Sequence, residues 1–122
     1  MSIKPQVLDL IRLVENGRML DAITTYYDEN VAMQENVSPP IVGYATNYER
    51  EAAFYGSLAS LKFTLASVVV EGDRAVINWV FDYTTSDGQR YRMDEIAVQT
   101  WRNGKIVHER YIYDTATLAA AA

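Results

Sequence analysis

The sequence predicts an α+β domain in which three N-terminal helices cover one face of a curved antiparallel β-sheet. Apolar residues recur at helical spacing in the first half of the chain, and strand-like alternation fills the second half. Gly-Asp, Ser-Asp-Gly and Asn-Gly turns separate the later strands. With 122 residues and neither a repeat nor a linker, the chain is predicted to form one domain, residues 1–122.

The first two helices are predicted to form a hairpin around an Asn-Gly turn. Pro5 suits the first turn of a helix, and Gly17 follows the end of that helix. Apolar positions three and four residues apart give each helix one buried stripe, over Val7–Val14 and over Met19–Tyr26.

A short strand, a third helix and a run of longer strands are predicted next. Val31–Glu35 alternates, and Pro39-Pro40 then excludes a helix or a central strand. Helical spacing returns over Ala45–Ala59, and the alanine-rich end of the chain is predicted as a frayed helical tail. The remaining strands are predicted at Lys62–Glu71, Arg74–Thr84, Arg90–Arg102 and Lys105–Asp114.

Composition excludes several classes of function. The chain has no cysteine, which excludes disulfides, thiolate catalysis and cysteine metal sites, and the single His108 leaves no histidine pair for a metal. A net charge of −5 opposes nucleic-acid binding. No apolar run approaches the roughly 18 residues of a membrane span, and no signal-peptide core is present. We therefore expect a cytoplasmic protein without metal or cofactor that binds neither nucleic acid nor membrane.

Side-chain alternation along the strands predicts a hollow beneath the helices that is lined by aromatic and acidic residues. If the aromatic residues of Arg74–Thr84 face the helices, the partner strands present Glu95, Gln99 and Glu109 on the same face. Buried carboxylates cost several kcal/mol unless they are paired, hydrogen-bonded or protonated, so a cavity for ligand or water is expected. The predicted lining residues are Tyr48, Tyr55, Trp79, Phe81, Gln99, Trp101, Tyr111 and Tyr113.

The opposite face of the sheet, here called the outer face, is predicted to be too apolar for a soluble monomer. A homodimer through this face is therefore expected. Its predicted apolar residues are Val76, Val80, Ile96, Val98, Ile106 and Ile112.

Two stretches of sequence support a family resemblance over nearly the whole chain. The first contains YYDENV at residues 26–31 and then Pro39-Pro40, and the second runs from WRNGKIV at 101–107 to YIYD at 111–114. On these residues the chain resembles the SnoaL-like branch of the nuclear transport factor 2-like superfamily, which includes ketosteroid isomerase and limonene epoxide hydrolase. The resemblance implies a cone-shaped sheet wrapped around a pocket and commonly a dimer through the convex, outer face.

The resemblance carries one catalytic position over and leaves others without a match. Glu35, before the proline turn, matches the general base of ketosteroid isomerase. Leu10 and Ala97 occupy the places of that enzyme's two oxyanion donors, so ketosteroid isomerisation is not expected. The Asp-Arg-Asp relay of the epoxide hydrolase has no clear inward-facing counterpart.

Each candidate group has a structural alternative. Glu35 is predicted to be either a general base or a strand-end residue that hydrogen-bonds the proline loop. Glu95 and Glu109 could share a proton as an acid–base pair, or form ion pairs with Arg50, Arg92 or Arg110. The aromatic residues could be pocket wall or plain core.

Two functions follow from these alternatives. The first is a cofactor-independent enzyme, such as an isomerase, cyclase or lyase, that acts on a small hydrophobic carbonyl compound. The second is a module that binds a small hydrophobic molecule in the same pocket without chemistry.

Overall fold

The computed structural model describes residues 2–118 and confirms the α+β class, with three helices and a six-stranded, curved, open sheet. The alanine-rich end begins as a 3-10 helix over Thr115–Leu118, and residues 119–122 lie outside the described part. The helices are α1 (Lys4–Glu15), α2 (Met19–Tyr26) and α3 (Tyr44–Gly56). The strands are β1 (Tyr27–Glu35), β2 (Ile41–Val42), β3 (Leu58–Glu71), β4 (Arg74–Thr85), β5 (Arg90–Arg102) and β6 (Lys105–Ile112).

The sheet is mixed, whereas the sequence predicts a wholly antiparallel one. The strand order is β2-β1-β6-β5-β4-β3, and β1 runs parallel to β6 while all other neighbours are antiparallel. Local turns determine the direction of β3 to β6, because hairpins join these strands. No hairpin joins β1 to β6, so the turn pattern gave no information about that pair.

The helices pack on one face of the sheet and bury their apolar stripes there. Val7 of α1 is fully buried, and Ile23 of α2 is nearly so, in a core shared with Ile77 of β4 and Ala97 of β5. The first turn of α3 follows Gly43, whose φ of 112° is open to glycine but strained for other residues. The chain turns there into α3, which contacts β1, β2 and β3.

A β-bulge in β6 changes which residues face the helices. Thr100 pairs with His108 but Trp101 pairs with Ile106, so Val107 is an extra residue in the ladder. An extra residue reverses the alternation on one side of the bulge. Ile106, predicted on the outer face, is in fact fully buried in the core.

The outer face nevertheless exposes apolar side chains in the single chain. Val76, Ile96 and Ile112 are 37%, 37% and 38% exposed, and Val69 is 62% exposed. These residues belong to β3, β4, β5 and β6, so they extend across neighbouring strands of one sheet.

Candidate functional site

A cavity of about 340 Å³ lies between α3 and the helix-covered face of the sheet. This volume is in the range of small-molecule sites. One helix and five strands, together with the segment after β6, supply its lining, so the fold has to be nearly complete before the cavity exists. The lining residues are Glu35, Arg50, Glu51, Phe54, Tyr55, Phe63, Phe81, Tyr83, Met93, Glu95, Tyr111 and Tyr113.

Aromatic rings from three elements form one wall of the cavity. Phe81 stacks on Phe63 with ring centroids 4.1 Å apart and on Tyr83 at 4.7 Å. Phe54 and Tyr55 of α3 approach the same Phe81 edge-on, at 6.3 and 6.5 Å. Such ring contacts add to the stability gained by burying apolar area.

Glu95 is a buried carboxyl that lines the cavity. It lies opposite Trp79 in the β4–β5 register and is only 7% exposed. Within residues 2–118 no side chain forms a recorded hydrogen bond or ion pair with its carboxyl. Burial, and then the carboxyls of Glu109, Glu35 and Glu51, raise its pKa to about 8.

Glu51 is a second buried carboxyl that the sequence did not predict. Burial raises its pKa to about 7, although the Arg50 guanidinium, 3.5 Å away, opposes the shift. Arg50 Nη2 also donates to Asn47 Oδ1 at 3.1 Å, and Asn47 in turn donates to the carbonyls of Ile41 and Gly43. An arginine therefore reaches into the cavity from α3.

Glu35 lies at the carboxyl end of β1, where it lines the cavity. Burial raises its pKa, while the charge of Arg50 and a hydrogen bond from Tyr113 lower it and Glu109 raises it. Its environment therefore opposes ionisation less than that of Glu95, which has no such partners. Two lining carboxyls of unequal proton affinity thus share one cavity.

Glu109 is placed behind the cavity wall, where it accepts hydrogen bonds from three side chains. The hydroxyls of Tyr27 and Tyr111 donate to its Oε1, the latter at 2.6 Å, and Gln99 Nε2 donates to its Oε2 at 2.7 Å. Trp101 Nε1 donates to Gln99 Oε1 at 3.0 Å. Burial raises the pKa of Glu109, and these hydrogen bonds oppose the rise. We call Tyr27, Gln99, Trp101, Glu109 and Tyr111 the buried network.

The predicted site residues divide into two groups. Glu35, Tyr55, Phe81, Glu95, Tyr111 and Tyr113 line the cavity, whereas Tyr48, Trp79, Gln99, Trp101 and Glu109 are not among its lining residues. Tyr48 stacks on Tyr44 with ring centroids 5.8 Å apart, and Trp79 packs against Phe63 in the core.

Neither of the contacts predicted for Glu95 and Glu109, a shared proton or an ion pair with an arginine, is present in the described part of the structure. Glu95 and Glu109 do not share a hydrogen bond, because Glu109 pairs with Gln99 in the register and Glu95 lies four residues before Gln99 in β5. The arginine alternative is not realised for either group: Arg92 pairs with Asp82 at 2.7 Å, and Arg110 Nε donates to the Asn36 carbonyl.

The sequence analysis missed three buried polar residues of the site region, Tyr27, Asn47 and Glu51. Asn47 and Glu51 are 1% and 8% exposed and lie one helical turn apart, so they define the buried side of α3. The sequence prediction placed the buried side of α3 on the apolar residues Tyr48, Ala52 and Tyr55. Asn47 and Glu51 directly precede Tyr48 and Ala52, so the predicted buried side was displaced by one residue. Tyr27 was missed because β1 begins four residues before the predicted strand.

Neither a metal site nor a membrane span is found in the part of the chain that the structure describes. Within residues 2–118, no three His, Cys, Asp or Glu side chains are grouped so that they could hold a metal ion. None of the helices there combines the length and the apolar character needed to cross a bilayer.

The open curved sheet, closed by helices over a cavity, defines an α+β cone of the nuclear transport factor 2-like class. A family model described as a SnoaL-like domain matches residues 7–109. The chain belongs to the SnoaL-like family, as the sequence resemblance implied.

Solved structures share this fold at low sequence identity. A proposed SnoaL-like polyketide cyclase from Mesorhizobium loti is 23% identical, with a TM-score of 0.73 over 91% of this chain and 98% of that one. A proposed polyketide cyclase from Pseudomonas putida is 20% identical, with a TM-score of 0.78 over 99% of both chains. TerC, crystallised with polyporic acid, is 19% identical, with a TM-score of 0.77 over 93% of this chain and 92% of that one. No curated protein sequence matches the chain.

Proposed function

We propose that the chain is a cofactor-independent enzyme that moves a proton on a small hydrophobic carbonyl compound, as an isomerase, cyclase or lyase would. The observation that carries this proposal is that Glu35, Glu51 and Glu95, all with raised pKa values, line one aromatic cavity. Carboxyl groups with separated pKa values in one site can divide the roles of acid and base. The likeness to two proposed polyketide cyclases supports the same reaction class.

In this proposal Glu35 is the base and Glu95 is the hydrogen-bond donor. Glu35 has Arg50 and Tyr113 to favour its ionised form, so it can accept a proton from the carbon beside a carbonyl. Glu95, with a pKa of about 8, is protonated at neutral pH and can donate to the carbonyl oxygen. It lies on the same face of β5 as Ala97, two residues away, and so can replace the missing oxyanion donor.

Replacing Glu35 by glutamine is expected to slow proton exchange by about 10²–10⁴-fold, because general-base catalysis is lost. The measurement is deuterium incorporation at the carbon beside the carbonyl of β-tetralone in D₂O, followed by NMR. Glu71→Gln removes an exposed carboxyl at the end of β3 and serves as the matched control. Exchange at the rate of the wild type in Glu35→Gln, or no exchange above buffer with wild type, contradicts the proposal.

The alternative is a module that binds a small hydrophobic molecule without chemistry. Arg50 favours it, since its guanidinium, beside Glu51 and near Glu35, lowers the proton affinity on which a general base depends. Thermal stabilisation by β-tetralone without deuterium exchange would support this alternative over the enzyme.

We also propose that two copies pair through the outer face. Val76→Asp is expected to convert a dimer into a monomer, because it buries a charge among Ile96, Ile112 and their copies. Light scattering at micromolar concentration measures the mass. Val37→Asp, at a side chain that is 86% exposed in a turn, is the matched control and should leave the dimer intact. A monomeric wild type would refute the pairing.

A further inference from the structure

We propose that the same cavity also binds a hydrophobic amine in its ammonium form, with the cation against Glu95 and the aromatic wall around its apolar body. This ligand class differs from the neutral carbonyl compound proposed above. The inference uses the same cavity but does not depend on its proton-transfer chemistry, so either proposal can hold without the other.

The charges of the lining residues favour a cation. Three carboxyl groups line the cavity, and Arg50 is the single cationic side chain among the lining residues of the described part. Arg50 is already engaged, because its Nη2 donates to Asn47 and lies 3.5 Å from Glu51. A bound ammonium group would add positive charge where acidic groups are in excess.

Glu95 gives the cation a specific place. Its side chain is more than nine-tenths buried, it faces the cavity, and no partner for it is recorded within residues 2–118. A buried carboxyl without a partner is costly, and a hydrogen-bonded cation would offset that cost. Glu109, by contrast, accepts hydrogen bonds from three side chains of the buried network. Of these two buried carboxyls, Glu95 is therefore the one that lacks a hydrogen-bond partner within residues 2–118.

The aromatic wall suits the same ligand. Aromatic rings bury a large apolar area, which suits the hydrocarbon part of a hydrophobic amine. Phe63, Phe81 and Tyr83 form a continuous stacked series on β3 and β4, beside the β5 position of Glu95. These rings stack face to face, so the wall offers apolar contact for the skeleton of an amine while the ammonium group lies against Glu95.

Proton linkage gives the two ligand classes opposite pH dependences. An ammonium ligand favours ionised Glu95 and so releases a proton, whereas a carbonyl ligand favours the protonated donor. Affinity for the amine should rise with pH up to the pKa of Glu95, and affinity for the ketone should fall beyond it. The other titratable groups around Glu95 are Glu35 on β1, Arg50, Glu51 and Tyr55 on α3, Tyr83 on β4, Glu109 and Tyr111 on β6, and Tyr113.

The test compares β-aminotetralin with β-tetralone, which share one carbon skeleton, by titration calorimetry on the wild-type protein at several pH values. For one proton released, amine affinity should rise up to about tenfold per pH unit below the Glu95 pKa. The amine keeps its charge throughout this range, since alkyl ammonium groups titrate near 10. Proton release is measured directly by repeating the titration in buffers of different ionisation enthalpy.

Glu95→Gln tests the assignment, and Glu71→Gln is its control. In Glu95→Gln the amine should bind at least about tenfold more weakly than to wild type, and its pH dependence should flatten. Absence of amine binding to wild type, or a pH profile unchanged by Glu95→Gln, overturns the inference. Deuterium exchange of β-tetralone without amine binding leaves the proposed enzyme in place, and amine binding without exchange leaves this inference in place.

Discussion

Raising the pH from about 5 to about 9 is expected to lower the free energy of unfolding by several kcal/mol. In the unfolded chain Glu51 and Glu95 ionise near 4.5, but in the folded chain their pKa values are about 7 and about 8. Between the unfolded pKa of 4.5 and these folded pKa values, the folded state binds more protons than the unfolded state. The stabilisation is therefore complete below 4.5 and is lost as the pH rises through the folded values.

Urea unfolding at a series of pH values, followed by circular dichroism, measures this loss. Glu95→Gln should flatten the pH dependence, since the amide cannot ionise, and should be more stable than wild type above pH of about 8. Glu71→Gln should give a curve parallel to that of the wild type. A wild-type stability that is constant or rises over this range would show that the cavity carboxyls ionise as freely as in water.

Glu109→Ala is expected to destabilise the fold by about 3–5 kcal/mol, because it removes the acceptor shared by three donors, two of them buried. The hydroxyl of Tyr27 and the amide of Gln99 would remain in the core, at 8% and 1% exposure, without their partner. A cavity the size of the lost side chain adds to that cost. Chemical denaturation at neutral pH provides the measurement.

Glu95→Ala is the matched control for Glu109→Ala. Both substitutions truncate a buried glutamate that faces the helices, but Glu95 has no recorded partner within the described residues to leave behind. Glu109→Ala should therefore be the more destabilising by at least about 2 kcal/mol. Equal losses for the two variants would mean that the buried network contributes no net stability.

Much of the fold was predictable because local physics determines it. Alternation and turn chemistry predicted β4 and β5 to within one residue at each end, since hairpin turns bound both strands. The face of Glu95 followed from simple parity, because the β4–β5 ladder carries no bulge.

Other features depend on tertiary pairing that the local sequence does not encode. The extra Val107 changed the face of Ile106, and nothing in a run of alternating residues indicates where a bulge lies. The parallel partner of β1 depends on how the sheet closes, not on a turn. The buried side of α3 was misplaced because Asn47 and Glu51 are polar residues in the positions that face the cavity.

The parallel pairing of β1 with β6 joins the first strand of the chain to the last. Tyr27 and Glu109, which hydrogen-bond across these strands, are separated by 82 residues. Contacts so distant in sequence have a large loop-closure cost and slow the folding reaction. During synthesis the edge of β1 that pairs with β6 stays unpaired until β6 leaves the ribosome. A chaperone that covers this edge would protect β1 from aggregation in that interval.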